Sequence, residues 1–274
     1  MAPNSKPQLK GRMRPARFLS TAGLLIGSLA GLCTAEAGTS IRPCGTAAYT
    51  ASIGGVTKGE TPAKPAGPDQ LTIVLAGDTG FNPKAAPVDP KAFTKNGTRL
   101  SFDESLAAIR DDVTGDIAFL NLETVVTDRN DLAPDTKGQT SPYNFRSHPA
   151  ALKALIDAGF NLFSLANNHS MDYGPMGAEE TLYHLAIANA ARGKDKTIAY
   201  AGLGADFEEA TRPGCLEAGD MRLGFAAVGI ITGQRESHRA GEGKPGQAAY
   251  RQREDFEIAV NRLREVPADY RMLS

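Results

Sequence analysis

Three apolar runs, each closing on side chains that bind metals or protons, constrain this chain more than any other feature. LTIVLAGD (71–78), IAFLNLE (117–123) and NLFSLANNH (161–169) are continuous apolar stretches of strand length. Such runs mark strands buried on both faces in a parallel sheet. Helix patterns lie between them. SFDESLAAIRD (101–111) offers Ser101 as N-cap with Glu104 three residues on. HPAALKALIDAGF (148–160) has His148 where a cap belongs and Gly159 as a stop. MGAEETLYHLAIANAA (176–191) predicts a longer helix, followed by a short strand at 199–203 and a helical turn at 207–210. Then the rhythm changes. CLEAGDMRLGFAAVGI (215–230) reads as a hairpin about Gly219-Asp220. Residues 233–249 are a Gly-rich polar loop containing His238, 255–264 an amphipathic helix and 270–274 a final strand. Parallel β-α-β alternation with an antiparallel pair appended predicts an α/β fold.

In open parallel sheets, ligand chemistry collects beyond the carboxyl ends of the strands. Here those ends carry Gly77-Asp78, Asn121-Leu122-Glu123 and Asn167-Asn168-His169, and Asp78, Glu123 and Asn168 are spaced by 45 residues in both intervals. Alone, Asp78 reads equally well as a cap of the following loop. Asn167-Asn168 alone reads as a turn former. Glu123 follows six mostly apolar residues, a costly place for an acid unless it is paired or coordinating. Together, in neighbouring strands, they predict one shared mouth with an oxygen-rich, borderline ligand set suited to Mn, Mg, Fe or Zn.

The first 37 residues read as a secretory signal peptide. Lys6, Lys10, Arg12, Arg14 and Arg17 form a basic start, residues 18–32 (FLSTAGLLIGSLAGL) an uncharged run, and Ala35-Glu36-Ala37 a cleavage site. The run is short for a membrane span, so contact with a membrane is expected only through this segment, if it is retained as an anchor. The expected location is exported: periplasmic or cell-surface. Residues 38–70 are rich in Gly, Ala, Thr and Pro and read as a flexible linker before a domain at 71–274. The formal charge of −1 shows no basic excess that would argue for nucleic acid as a partner. Cleavage would take 30 basic and 31 acidic residues to 25 and 30, a net charge of −5 that argues against charge-driven capture of an anionic polymer. It would leave Cys44 and Cys215, which can pair in an oxidising compartment but read more readily as two separate thiols, since nothing in the sequence shows that they approach within bonding distance. Four histidines exclude a His-rich metal cage. His184, inside a helix, reads as a packed or solvent-facing residue. No GxSxG supports a serine hydrolase, and GLGADF (202–207) lacks the glycines of a nucleotide loop.

At LAGDTG, NLETVVTD and LANNHSMDYG together, the sequence resembles the bacterial capsule-synthesis CapA family, the poly-γ-glutamate biosynthesis proteins of metallophosphatase-like fold. The likeness continues through YNFRSHPAALKALIDAGFNLFSLANNHSMDYG and GLGADFEEATRPGCLEAGDMRLGFAAVG. The resemblance implies a metallophosphoesterase-like four-layer α/β/β/α sandwich. It implies a divalent metal held by Asp78, Glu123 and Asn168, with His169 as general acid or phosphoryl-oxygen contact and Asp172 orienting His169. Asn121 and Asn167 would support them. It further implies an exported protein of capsule or poly-γ-glutamate biosynthesis. If active, this would be a metal-dependent hydrolase or transferase acting on an anionic polymer or phosphoester. The other reading is a non-catalytic scaffold of a cell-surface polymer synthesis or export complex, with other capsule-synthesis proteins as partners. Two departures stand out. Gly80 occupies the place where wider metallophosphatases carry a His, and the family's later HWG-like and GHxPH-like motifs do not occur, so the domain is expected to lack its C-terminal part.

Overall fold

A computed structural model describes residues 71–81, 88–192, 197–231 and 233–274. The expected signal peptide, the linker and Cys44 lie outside the described residues. In chain order, β1 (Ile73–Thr79) precedes a hairpin of β2 (Ala92–Lys95) and β3 (Thr98–Ser101), then α1 (Phe102–Leu106) and β4 (Ile117–Leu122). Short strands β5 (Val125–Val126) and β6 (Arg146–Ser147) pair in parallel before α2 (Pro149–Asp157), β7 (Leu162–Ser164) and α3 (Gly174–Ala190). There follow β8 (Ala199–Ala201), β9 (Leu203–Gly204), α4 (Phe207–Ala210), the hairpin β10 (Gly214–Ala218) and β11 (Met221–Ala226), β12 (Gly246–Gln247), α5 (Arg253–Glu265) and β13 (Tyr270–Leu273).

The main sheet runs β1-β4-β7-β8, all parallel. Strand order follows chain order without reversal, so same-handed crossovers put α2 and α3 on one face. Leu120, Phe163 and Tyr200 pack there with Leu152, Leu155, Leu182 and Leu185. The opposite face is left for a second sheet, β10-β11-β13. Ile117, Phe119, Leu162 and Ala199 meet Leu216, Leu223 and Phe225 in that inter-sheet core, with Phe119 and Phe225 edge to face at 5.9 Å. The two-residue alternation along β4 thus feeds both layers. α5 covers the far side of the second sheet. A Cβ on Gly224 would lie 3.3 Å from Leu263 and 3.1 Å from Val266, so the missing side chain lets the end of this helix approach the strand. The order is helix, sheet, sheet, helix: the expected α/β/β/α sandwich.

Local rules hold at several element ends. Ser101 and Glu104 form a reciprocal capping box on α1. The His148 ring accepts from Ala150 N at 3.0 Å ahead of Pro149, and Gly159 leaves α2 at φ +117°. Gly219 turns the β10–β11 hairpin at φ +59°. Cys215 on β10 is disulfide-bonded.

Four expectations need correction. β1 is not buried on both faces: it is the sheet's edge, and Ile73 and Leu75 are 39% and 66% exposed. The third apolar run is a strand only at Leu162–Ser164: Leu165 N still bonds the Ala201 carbonyl at 3.0 Å, and the chain then turns away at residues 167–173 to build the site. The helix expected at 101–111 ends at Leu106 and gives way to a 3-10 turn at Arg110–Asp112. The 233–249 segment is not wholly loop: it contains a 3-10 turn and β12, and its His238 is buried beside Asp135.

Candidate metal and histidine site

β1, β4 and the turn after β7 bring their carboxyl ends to one rim. On β1, Leu75 pairs with Phe119 but Asp78 with Asn121, so β1 carries one extra residue against β4. This bulge re-aims the strand end and sets Asp78 opposite Asn121, whose Nδ2 donates to Asp78 Oδ1 at 2.8 Å. Asn167 Nδ2 donates in turn to Asn121 Oδ1 and to the Leu122 carbonyl, each at 3.0 Å. Asn167 Oδ1 accepts the His169 backbone N–H at 3.0 Å. A continuous line of amides therefore ties Asp78 on the edge strand to His169, in the turn after β7, two strands along.

His169 is buried and stacked on Phe145, ring centroids 3.9 Å apart. Its Nδ1 lies 2.6 Å from Asp172 Oδ2, a separation that requires a proton between them. The carboxylate can only accept, so the ring is assigned Nδ1–H, leaving the Nε2 lone pair free. Nε2 faces Glu123 Oε1 at 4.0 Å. Asp172 is fully buried, and its Oδ2 also accepts the Phe145 backbone N–H at 2.5 Å.

One residue of this site was not expected from the sequence. Lys137 is 4% exposed and ion-paired with Asp172 Oδ1. Its ammonium also donates to the carbonyls of Tyr143 at 2.7 Å and Asn168 at 3.3 Å, and lies 3.2 Å from His169 Nδ1. In DTKGQTSP a lysine among turn formers reads as solvated, and no local pattern marks it as buried. Asn168 takes a different place from its neighbour: it is exposed and joined to this network through its main-chain carbonyl, whereas Asn167 enters the hydrogen-bonded line.

Burial first, then the charge of Asp78, raises the Glu123 carboxyl above its ordinary range, with His169 pulling the other way. Such a carboxyl holds its proton more tightly folded than unfolded. Its ionisation therefore costs stability above the folded pKa, and the cost is absent below the unfolded one. In chelator, Glu123→Gln is expected to raise the urea midpoint at about pH 7 and to leave it unchanged near about pH 3. A lower midpoint at neutral pH would contradict this electrostatic reading. Asp78, Glu123, the His169 imidazole and nearby amides supply ligand chemistry suited to a divalent cation, although the Asp78, Glu123 and His169 ligand atoms do not all lie within 4.8 Å of one another; positive charge there would relieve the Glu123–Asp78 repulsion.

A probable polyglutamine synthesis accessory protein of Mycobacterium tuberculosis, in strains CDC 1551 / Oshkosh and ATCC 25618 / H37Rv, is 31% identical over 177 residues, 63% of this chain and 42% of the relative. An uncharacterized protein of Sinorhizobium fredii, strain NBRC 101917 / NGR234, is 28% identical over 187 residues, 67% of this chain and 36% of the relative. The chain thus spans less than half the length of these relatives. The bacterial capsule synthesis protein PGA_cap family matches residues 72–274, from the first strand to the last, and the chain belongs to that family.

Proposed function

We propose that the rim formed by Asp78, Glu123 and Asn168 holds a divalent cation and that the protein is an exported, metal-dependent hydrolase or transferase of capsule polymer synthesis. Its substrate would be a phosphoester or an anionic polymer such as poly-γ-glutamate. The observation that carries this reading is the Asp172–His169–Glu123 alignment at the strand ends. A buried carboxylate there fixes the imidazole tautomer and aims the free nitrogen at a second carboxylate. A bound cation would supply Lewis-acid polarisation of a phosphoryl or carbonyl oxygen and acidify a water. The chain's own residues do the rest. Asp172, ion-paired in turn with Lys137, holds the ring of His169, Phe145 stacks on its face, and Nε2 can take a proton from water or, once protonated, return it to a leaving oxygen. Asn121 and Asn167 keep Asp78 in register with that ring. Export is supported by the basic-apolar leader and by the disulfide at Cys215, since such bonds persist in oxidising compartments. Among the described residues no helix is long and apolar enough to cross a membrane.

Metal analysis of the purified chain tests this. Close to one Mn, Zn, Fe or Mg per chain is expected at this rim, lost in Asp78→Ala and Glu123→Ala. His169→Ala is expected to keep the metal and lose hydrolysis of a generic phosphoester or γ-glutamyl peptide. A rim that binds no cation would overturn the reading. The word "accessory" in the name of the mycobacterial relative favours a second reading, a non-catalytic component holding an anionic polymer or other capsule-synthesis proteins. Metal at the rim without turnover on either substrate would select it.

A further inference from the structure

A second group of ligand-type side chains lies outside the rim, between the end of β5 and the outer turn of α3. Asp128, Glu180 and His184 place one ligand atom each within 4.8 Å of one another, and among the described residues no other trio of His, Cys, Asp and Glu does so. Two features of the fold make the group. Glu180 and His184 are one helical turn apart on α3, hence on one face. α3 is pinned to β5: Val126 N donates to Thr181 Oγ1 at 3.0 Å, and Gly177 lets the helix come so near that a Cβ there would lie 3.2 Å from Val125. The residues just past β5 are thereby set over the helix.

The independent sign of a ligand is His184. Its side chain is 11% exposed, and its Nε2 is buried with no hydrogen-bond partner. That nitrogen faces Glu180 Oε2 at 3.7 Å. The gap is too long for a hydrogen bond. It is close to the roughly 3.4 Å that separates two ligands of one tetrahedral ion on bonds of about 2.1 Å. Thr127 Oγ1 donates to the same Glu180 Oε2 at 2.9 Å and fixes that carboxylate's orientation. The guanidinium of Arg129 engages Asp131 at 3.0 and 2.8 Å. The His148 ring uses Nδ1 to accept from Ala150 N and so carries its proton on Nε2.

We propose that Asp128, Glu180 and His184 form a second divalent-cation site, of zinc type, that ties the segment following β5 to α3. One nitrogen and two carboxylate oxygens suit a borderline cation over a soft or purely hard one. A three-residue set leaves a coordination position for water or an external ligand.

The test uses zinc alone, titrated calorimetrically into the full chain carrying Asp78→Asn and Glu123→Gln, so that the rim does not contribute. One bound zinc is expected. Asp128→Asn in that background is expected to weaken it at least about tenfold, and His184→Gln to abolish it. Asp128 is exposed, so its replacement leaves the fold intact and decides the matter even if the His184 variant unfolds. No zinc bound in the double variant, or an affinity indifferent to Asp128→Asn, overturns the proposal. The rim is read separately, from the extra cation bound by the wild-type chain over the double variant.

Discussion

Lys137→Met is expected to cost about 3–5 kcal/mol of folding stability, the largest loss from any single change at the rim. The reason is the state of its partner. Asp172 is fully buried, and its Oδ1 faces only the Lys137 ammonium. With methionine there, the carboxylate keeps one backbone N–H and the His169 ring but loses its counter-charge where water cannot replace it. Methionine retains most of the lysine stem, so little of the loss arises from packing. The residue's left-handed backbone, φ +51°, is unchanged by the substitution. Urea unfolding at neutral pH measures the effect. The double variant Lys137→Met with Asp172→Asn should recover a large part of it, because the orphaned charge is then gone. A single-variant loss under about 1 kcal/mol, the range of a surface pair, would mean that water reaches Asp172.

Lys137 also shows where sequence reading stops. The layers were legible because they rest on periodicity. Alternation along Ile117–Leu122 feeds two cores, and the Gly219-Asp220 break announces the hairpin. Capping chemistry at Ser101, His148 and Gly159 was equally local. The Asn96-Gly97 pair is a local hairpin signal of the same kind. Both residues adopt positive φ, 50° and 78°, and turn the β2–β3 hairpin as that dipeptide commonly does. Other features had no local signal. An apolar run does not say whether its strand is central or an edge, so Leu75 looked buried. A bulge is a relation between two strands, and nothing in LAGD reveals that Asp78 slips by one residue to meet Asn121. The site divides the same way. Strand ends located Asp78, Glu123 and His169, and the resemblance supplied the role of Asp172. Lys137 comes from a polar loop whose burial depends on contacts with residues some thirty positions away. Asn167 and Asn168 are indistinguishable in sequence, and only the turn geometry decides which of them joins the amide line.

The rim depends on a glycine that touches none of its polar groups. Gly202 follows β8 at φ +100°, and a Cβ there would lie 2.5 Å from the Ala166 Cβ and 2.9 Å from the Ala227 Cβ. Gly202→Ala is therefore expected to cost roughly 2–5 kcal/mol, backbone strain and overpacking acting together. Relief comes from displacing Ala227 or, more directly, Ala166, the nearer of the two. That residue precedes Asn167, whose amide binds Asn121 and the Leu122 carbonyl, so the same variant should also weaken cation binding at the rim. Gly77→Ala is the control. Gly77 adjoins Asp78, yet a Cβ there meets nothing within 4 Å and its φ is not positive, so the change should stay within about 0.5 kcal/mol. Thermal unfolding and metal titration of the two variants separate the causes. If closeness in sequence to Asp78 governed the rim, Gly77→Ala would be the damaging change. If packing between the two sheets governs it, the damage comes from Gly202, more than a hundred residues away along the chain.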